Sequence, residues 1–323
     1  SSDLPSRAAN SVHVMRMCRA FAANGHDVTL VVPASRRIEP GIDDVFGFYG
    51  VDPAFTLTRA TLPALPITGP GPMFGLLAGW RARRLKPDLV YGRDPNACFW
   101  AMTLGLEVVI ETHPPIEFHP RWVQWQLRRM LEHPRGKRLV VITHALREHI
   151  LAQTPHYADR VITAHDAADP PPADLDPVDL QTAGDRLQVG YIGHLYQGRG
   201  VEIVAAMAEA CDWADFHLVG GLEADCAAWR ERLAHLHNLT IHGFVAPTEV
   251  ARYRAAFQVL LAPYQEKKTV YGSTEARTSK WMSPLKIFEY MSAPAAIIAS
   301  DLSALREVLA HDETALLCAP ADA

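Results

Sequence analysis

The chain has 323 residues, of which 49% are hydrophobic and 21% are charged, and this length and composition describe a soluble globular protein of two ordinary domains. The formal net charge of -5 argues against a nucleic-acid partner, because proteins that bind nucleic acid are usually clearly basic. Five dispersed cysteines without CxxC spacing predict reduced thiols in the cytoplasm. No apolar run approaches the ~20 residues needed to cross a bilayer.

The first half of the chain alternates helices with short aliphatic strands. Asn10 and Ser11 resemble a helix cap and Gly25 a helix end, which predicts a helix over 10–24. Continuous aliphatic strands separated by helices are typical of a parallel sheet covered on both faces. Strands are predicted at 27–33, 88–93, 106–112 and 138–143, and further helices at 73–86, 97–104 and 122–132.

A segment rich in proline and acidic residues interrupts this alternation. Such a composition cannot form a core, so we predict a first domain over 1–168, a linker over 169–186 and a second domain over 187–323. In the second domain the strand and helix alternation restarts and continues to AAIIAS (295–300) and ALREVL (304–309). Doubly wound sheets bind ligands at the carboxyl ends of their strands, so the two sheets are expected to present a common cleft.

The turn after the first strand of the second domain, GHLYQGRG (193–200), has the features of an anion site. Gly193 allows a tight turn, Gly198 and Gly200 keep the loop open, and the following helix start supplies free amides and a positive dipole. Arg199 can bind two phosphate oxygens at once. The same pattern alone also fits an ordinary strand-to-helix turn, but a second motif downstream favours diphosphate binding.

That second motif is WMSPLKIFEYM (281–291), a Ser-Pro pair before an amphipathic helix. The amides of Ser283 and Leu285 can face an anion, whereas Pro284 has none. Glu289 lies in the second turn of the predicted helix, where it can accept a pair of sugar hydroxyls.

Together the two motifs resemble the donor half of retaining glycosyltransferase family 4, whose C-terminal domain commonly reads SPLK-(aliphatic)-FEYM here. The resemblance implies an α/β GT-B fold, two doubly wound Rossmann-like domains facing a central cleft. It implies transfer of a hexosyl unit from a UDP-, GDP- or ADP-sugar to a glycan, lipid or small-molecule acceptor in bacterial glycan, glycolipid or natural-product assembly, without metal or cofactor. The alternatives are a sugar-nucleotide 2-epimerase of the same fold and a non-catalytic sugar-nucleotide-binding protein.

The resemblance also implies roles for residues of the second domain. His194 occupies a position where the family commonly has Arg, and Arg199 one where it commonly has Lys. Glu289 resembles the acid that binds the donor ribose, and Arg199 and Glu289 are implied to be catalytic. Phe244 and Val245 match the place where the family lays the nucleobase, although a core strand end explains them equally well. The implied donor-binding residues are Gly193, His194, Arg199, Phe244, Val245, Ser283, Pro284, Leu285, Lys286 and Glu289.

Trp281 departs from the family pattern of two acids separated by seven residues, because it occupies the position of the first acid. We expect it to line the sugar pocket, the alternative being that it packs into the domain interior. The family's first strand and final helix are not recognisable in this sequence, so some cleft contacts are expected to lie outside it.

In the first domain, the strand end VVIETHPP (108–115) is expected to point Thr112 and His113 out of the sheet. His113 resembles the family histidine beside the transferred sugar and is the third implied catalytic residue, the alternative being a structural histidine. Arg93, Asn10 and Ser11 are expected on the acceptor or sugar side, although helix capping alone explains Asn10 and Ser11 equally well.

Two other features of the first domain are candidate binding sites. Glu111, His113, Glu117 and His119 suggest a metal site, and His113 and Glu117 have helical ligand spacing. Pro114 and Pro115 prevent that helix, so no metal site is predicted. The arginines at 81–84 are compatible with peripheral contact to anionic lipid at the inner membrane face, although a solvated helix face is the simpler interpretation.

Overall fold

A computed structural model describes residues 3–34, 38–60, 71–181, 185–196, 199–265, 268–270, 273–276 and 281–320. The chain divides into two compact units, Ser1–Ala164 and His165–Ala323. The segment predicted as a linker belongs to the second unit. Its Val178 amide donates to the Arg252 carbonyl oxygen, and Leu180 packs against the core of that unit. A few contacts therefore hold this segment on the second unit, although its residues 169–181 form no helix or strand.

The first unit contains two parallel sheets among its described residues. β1 pairs with β2, and β3 to β6 form a four-stranded sheet in sequence order. Short 3-10 turns lie at Ile116–Phe118 and Pro155–Tyr157. The elements are α1 (Ala9–Ala23), β1 (Thr29–Pro33), α2 (Val45–Tyr49), β2 (Thr56–Ala60), α3 (Pro72–Leu85), β3 (Val90–Gly92), α4 (Pro95–Thr103), β4 (Val108–Thr112), α5 (Arg121–Glu132), β5 (Gly136–Val141), α6 (His144–Gln153) and β6 (Val161–Thr163).

The start of α1 differs from the predicted cap. The helix begins at Ala9 after an extended Ala8 and has no side-chain cap, so Asn10 and Ser11 lie inside its first turn. The Ser11 hydroxyl is buried and hydrogen-bonds the Ser6 hydroxyl at 2.7 Å and the Asp3 carbonyl oxygen at 3.0 Å. Ser11 therefore fixes the preceding loop, and its hydroxyl is not presented to a ligand.

The second unit is built around a six-stranded parallel sheet in the order β14-β13-β10-β7-β8-β9. Strand order reverses between β7 and β10, which is the switch point of a doubly wound sheet. β11 and β12 form a separate antiparallel pair. The elements are β7 (Leu187–Ile192), α7 (Val201–Ala210), β8 (Ala214–Val219), α8 (Glu223–Arg232), β9 (Leu239–Gly243), α9 (Val250–Ala256), β10 (Val259–Ala262), β11 (Lys268–Val270), β12 (Ser273–Ala276), α10 (Leu285–Met291), β13 (Ala296–Ser300) and β14 (Leu316–Cys318).

Both faces of this sheet are covered. Side chains alternate along a strand, so Val189 and Tyr191 of β7 pack in one buried cluster while Ile192 packs in the other. β10 behaves likewise, with Leu260 in one cluster and Leu261 in the other. The continuous aliphatic strands seen in the sequence therefore reflect burial on two sides.

Two boundaries in the second unit differ from expectation. Residues 303–308 form consecutive turns where ALREVL continued the predicted alternation, because this short run buries Leu305 and Leu309 without needing a full helix. Pro284 is the cap of α10 and lies one residue before its first turn. Among the described residues, no helix combines the length and apolar character needed to span a bilayer.

A buried polar chain crosses the interior of the second unit. The side-chain Oε1 of Gln188 can only accept, so His217 Nε2 donates to it at 2.8 Å. His217 Nδ1 then accepts from His242 Nε2 at 3.0 Å, which requires His217 to be neutral. Burial, and after it the neighbouring His242, lower the pKa of His217 from 6.5 to about 4.

We expect the second unit to lose stability as pH falls from about 6.5 to about 4. In that range the unfolded chain protonates His217 and the folded chain does not, so acid favours unfolding. The contribution present above pH 6.5 is about 3 kcal/mol. Urea unfolding at about pH 7 and pH 5 tests this, with His217→Gln as the variant that cannot titrate. Equal losses of stability in both proteins would contradict the assignment.

Candidate functional site

The candidate site in the second unit lies at the switch point of its sheet, where the loops after β7 and β10 meet. Gly193, which follows β7, has a φ of 152°, and Gly200, the cap before α7, has a φ of 87°. Residues that have a side chain rarely adopt such values. A Cβ on Gly200 would lie 2.1 Å from the Pro263 carbonyl oxygen, so glycine is also required by close approach. The end of this loop at Gly200 thus packs directly on Pro263, the residue that follows β10.

Two cationic side chains lie at this loop. The Lys286 ammonium, from α10, lies 3.9 Å from the centre of the Tyr191 ring and 5.3 Å from that of Tyr264. A Cβ on Gly193 would be 2.9 Å from Lys286 Nζ, so only a glycine leaves enough room for the ammonium at this position. Arg199 donates to the Tyr196 hydroxyl at 2.6 Å, and among the described residues its buried Nε has no hydrogen-bond partner.

The cations at this loop disfavour one another. Burial lowers the pKa of Lys286 well below its ordinary value, and the Arg199 charge lowers it further while Glu289 partly opposes this. Burial also lowers the pKa of His194, with Arg199 and Lys286 contributing in the same direction. Burial and neighbouring positive charge thus disfavour the charged forms of Lys286 and His194, and a bound anion would favour them.

The helix carrying Lys286 is fixed to the switch point. The Ile192 amide donates to the Tyr290 hydroxyl at 2.9 Å, which ties α10 to the end of β7. Glu289 Oε2 lies 3.3 Å from Nη1 of Arg254, a buried arginine of α9. The Ser283 hydroxyl is buried and, within the described part of the chain, has no hydrogen-bond partner. Glu289 therefore has a structural ion pair besides any role toward a ligand.

The remaining predicted residues of the second unit follow β9 or precede α10. Phe244 follows β9 and is 39% exposed, whereas Val245 packs against the core. Trp281 lies in a turn before α10 and is half-buried. Gly198, part of the predicted anion loop, lies outside the described residues.

The first unit has its own polar cluster, centred on Glu111 of β4. Glu111 is buried and lies 2.5 Å from His113 Nε2, 3.1 Å from Arg93 Nε and 3.5 Å from His13 Nε2. Tyr91 also donates its hydroxyl to this carboxylate. Hydrogen bonds from the two histidines and the Arg93 charge outweigh burial and hold the pKa of Glu111 far below its usual range.

The cluster changes the expectation for the strand end. His113 is 32% exposed and its ring turns toward Glu111, so it is only partly presented to solvent. Thr112 is buried and donates to the Pro114 carbonyl oxygen at 3.0 Å, so the expectation that it points out of the sheet is wrong. Arg93 neutralises Glu111. The structure thus brings His113 and Arg93 together but leaves Ser11 outside the cluster, bonded to the loop before α1.

The sequence does not identify His13 and Tyr91 as site residues, and it suggests Glu111 only as a member of the rejected metal site. A carboxylate within the aliphatic run VVIE is the signal that could have found them, because a buried charge requires partners. Across the described ranges, no set of three or more His, Cys, Asp or Glu side chains could hold a metal ion.

Comparison with protein families identifies both halves of the chain. Residues 11–170 match the family model described as Glycosyltransferase Family 4, and residues 186–323 match that described as Glycosyl transferases group 1. No curated protein sequence matches the chain significantly.

Solved structures with a similar fold cover almost the whole chain. HepE of Anabaena, crystallised with UDP and glucose, has a TM-score of 0.65 and 13% identity over 99% of this chain and 84% of its own. Sucrose-phosphate synthase from Thermosynechococcus elongatus has a TM-score of 0.69 and 18% identity over 98% and 81%. A glycosyltransferase from Rickettsia africae has a TM-score of 0.65 and 11% identity over 97% and 81%. The chain is therefore a glycosyltransferase of the GT-B fold and belongs to glycosyltransferase family 4.

Proposed function

We propose that this enzyme transfers a hexosyl unit from a nucleotide diphosphate sugar to an acceptor hydroxyl, with retention of configuration and without a metal ion. The observation that carries the proposal is the position of two basic side chains at the switch-point loop: Arg199, whose buried Nε has no hydrogen-bond partner among the described residues, and Lys286, whose ammonium lies 3.9 Å from the centre of the Tyr191 ring. A diphosphate between them would offset their repulsion and give the buried Arg199 Nε an acceptor. HepE, which shares the fold, has been crystallised with UDP and with UDP-glucose, and this supports a nucleotide donor.

In the proposed reaction the bond between the anomeric carbon and the diphosphate oxygen breaks. Negative charge then grows on the leaving diphosphate, where Arg199, Lys286 and the amides at the start of α7 can stabilise it. The acceptor oxygen bonds to the anomeric carbon on the same face, and its proton passes to the leaving phosphate oxygen. This route needs no side-chain nucleophile.

The ribose and the base would use neighbouring elements. Glu289 remains the proposed ribose ligand, because a carboxylate paired with Arg254 still has further lone pairs for hydroxyl donors. The exposed ring of Phe244 at the end of β9 offers a surface to the base. Trp281 is assigned to the sugar side. The proposed acceptors are a glycan, a lipid or a small molecule of bacterial glycan, glycolipid or natural-product assembly, in the cytoplasm.

The purified protein is expected to be stabilised by one of UDP, GDP and ADP and to transfer sugar from the corresponding donor. A thermal-shift screen identifies the nucleotide, because a ligand that binds the folded state raises its melting temperature. Anomeric configuration of the product is then read by nuclear magnetic resonance. Turnover should survive chelation with EDTA.

The outcomes of this experiment separate the alternatives. Loss of turnover on chelation, restored by manganese or magnesium, would contradict the metal-independent mechanism. Conversion of the donor to a second sugar nucleotide without an acceptor would identify an epimerase. Nucleotide binding without any turnover across donors and acceptors would indicate a binding protein.

Arg199→Ala is expected to weaken binding of the identified nucleoside diphosphate about tenfold to hundredfold, the range for a charge-assisted hydrogen bond. Calorimetry measures the affinity. Arg232→Ala is a matched control, because both guanidinium groups lie 4.9 Å from the centre of an aromatic ring in the same unit. An unchanged affinity in folded Arg199→Ala would remove this residue from the site.

His113→Ala is expected to lower kcat while leaving nucleotide affinity nearly unchanged, because the imidazole is proposed to meet the sugar. His149→Ala is its matched control: that histidine is 31% exposed and pairs with Glu117 in the same unit. Both variants should first show wild-type melting temperatures. Wild-type turnover in folded His113→Ala would make this histidine a structural partner of Glu111 only.

A further inference from the structure

The outward face of α5 in the first unit combines arginine with exposed tryptophan. Trp122 is 44% exposed and Trp125 is 58% exposed, whereas Val123 and Leu127 on the opposite face are buried. The exposed positions follow the spacing of a single helical face. They are Arg121, Trp122, Trp125, Arg128, Arg129 and Glu132.

Arg121, Trp122 and Trp125 do not contribute to the stability of α5 in a way that would explain their presence on this face. Arg121 is in the first turn, which carries no acid, and a positive charge there opposes the positive end of the helix dipole. Two indoles left about half in water forgo the stabilisation that burial of their apolar area would provide. The face therefore has the composition of a surface that meets another partner.

Exposed tryptophan and arginine also occur on α3, which packs on α4, the helix beside α5. The Phe99 ring of α4 lies 5.2 Å from that of Trp125, and Gly75 and Gly79 let α3 pack closely on α4. On α3, Trp80 is 46% exposed, and the Arg84 guanidinium lies 3.6 Å from the centre of its ring. Trp80, Arg84 and the exposed residues of α5 together are called the arginine-tryptophan face.

Charge is distributed unevenly between helices α3 to α5, which carry this face, and the rest of the chain. Helices α3, α4 and α5 contain six arginines and one acid, Glu132, a net charge of +5 in a chain whose net charge is -5. Exposed Met73 and Leu76 lie beside Trp80 on the same helix. A partner must therefore offer negative charge together with an apolar layer just beneath it.

We propose that the arginine-tryptophan face docks on the surface of an anionic lipid bilayer. Tryptophan rings lie at the level of the lipid headgroups, where one edge is apolar and the other wet. Arginines gain from the negative surface potential of anionic lipid. A nucleic acid or an acidic protein would satisfy the arginines but would leave Met73 and Leu76 without an apolar environment. Docking does not depend on the proposed reaction.

The test is cosedimentation of the full chain with phosphatidylcholine vesicles, with and without phosphatidylglycerol. Binding is expected only to the anionic vesicles, with a blue shift of tryptophan emission. Arg121→Ala combined with Arg128→Ala should lower the partition constant about thirtyfold, since each charge near the surface contributes about fivefold. Trp122→Ala combined with Trp125→Ala should lower it at least tenfold. Controls are Trp213→Ala, an indole 61% exposed in the second unit, and Arg232→Ala.

Three results would overturn the proposal. They are equal binding to neutral and anionic vesicles, wild-type binding by both double variants, and equal losses in the control variants. Tighter binding to heparin or DNA than to anionic vesicles, unaffected by the tryptophan substitutions, would also overturn it in favour of a polyanion site. The arginine pair keeps the test decisive if removal of Trp125 loosens its contact with Phe99. Melting temperatures confirm that each variant is folded.

Discussion

The geometry of the loop after β7, at Gly193, depends on a hydrogen bond from the Ile192 amide to the Tyr290 hydroxyl. The register of β7 and β10 pairs Val189 with Val259 and Gly190 with Leu260, and β7 continues beyond it to Ile192. Where two strands diverge at a switch point, a buried amide needs a partner from elsewhere. Tyr290 supplies it, and in doing so it places Lys286, one turn earlier on α10, over Tyr191. The divergence of β7 and β10 thus opens the site and also leaves free the amide that holds α10, the helix that carries Lys286.

The sequence predicts the parts of this fold that follow from local pattern. Aliphatic runs located most strands, and the two motifs located the loop at Gly193 and the helix that carries Glu289. It missed the helices α2, α6 and α8 and the strands β2, β6, β11, β12 and β14, which are short or carry mixed side chains. The Asn10 and Ser11 cap was wrong because the buried loop before α1 uses the Ser11 hydroxyl instead. Local signals cannot anticipate such a contact with a loop that has no pattern of its own.

The candidate sites show the same limit more sharply. His113 and Arg93 could be named as single residues, but Glu111, which binds both, was considered only as a metal ligand and not as their partner. A buried carboxylate is stabilised only by partners that the fold assembles, so its role appears when β3, β4 and α1 come together. Glu289 is a similar case. The motif identified it, while its pairing with Arg254 depends on the approach of α9.

The two units differ in the partners of their buried charged side chains, and this difference bears on the proposed anion site. In the first unit Arg93 is neutralised by Glu111, and the two histidines and Tyr91 give that carboxylate its remaining partners. In the second unit Arg199 contacts the neutral Tyr196, and Lys286 lies over neutral rings, with Glu289 offsetting them only in part. A bound anion favours the charged forms of basic groups, whereas a carboxylate already paired with an arginine leaves little net charge to attract an anion. Under the proposed function, Arg199 and Lys286 would therefore face the diphosphate, and the cluster around Glu111 would meet the uncharged hydroxyls of the sugar.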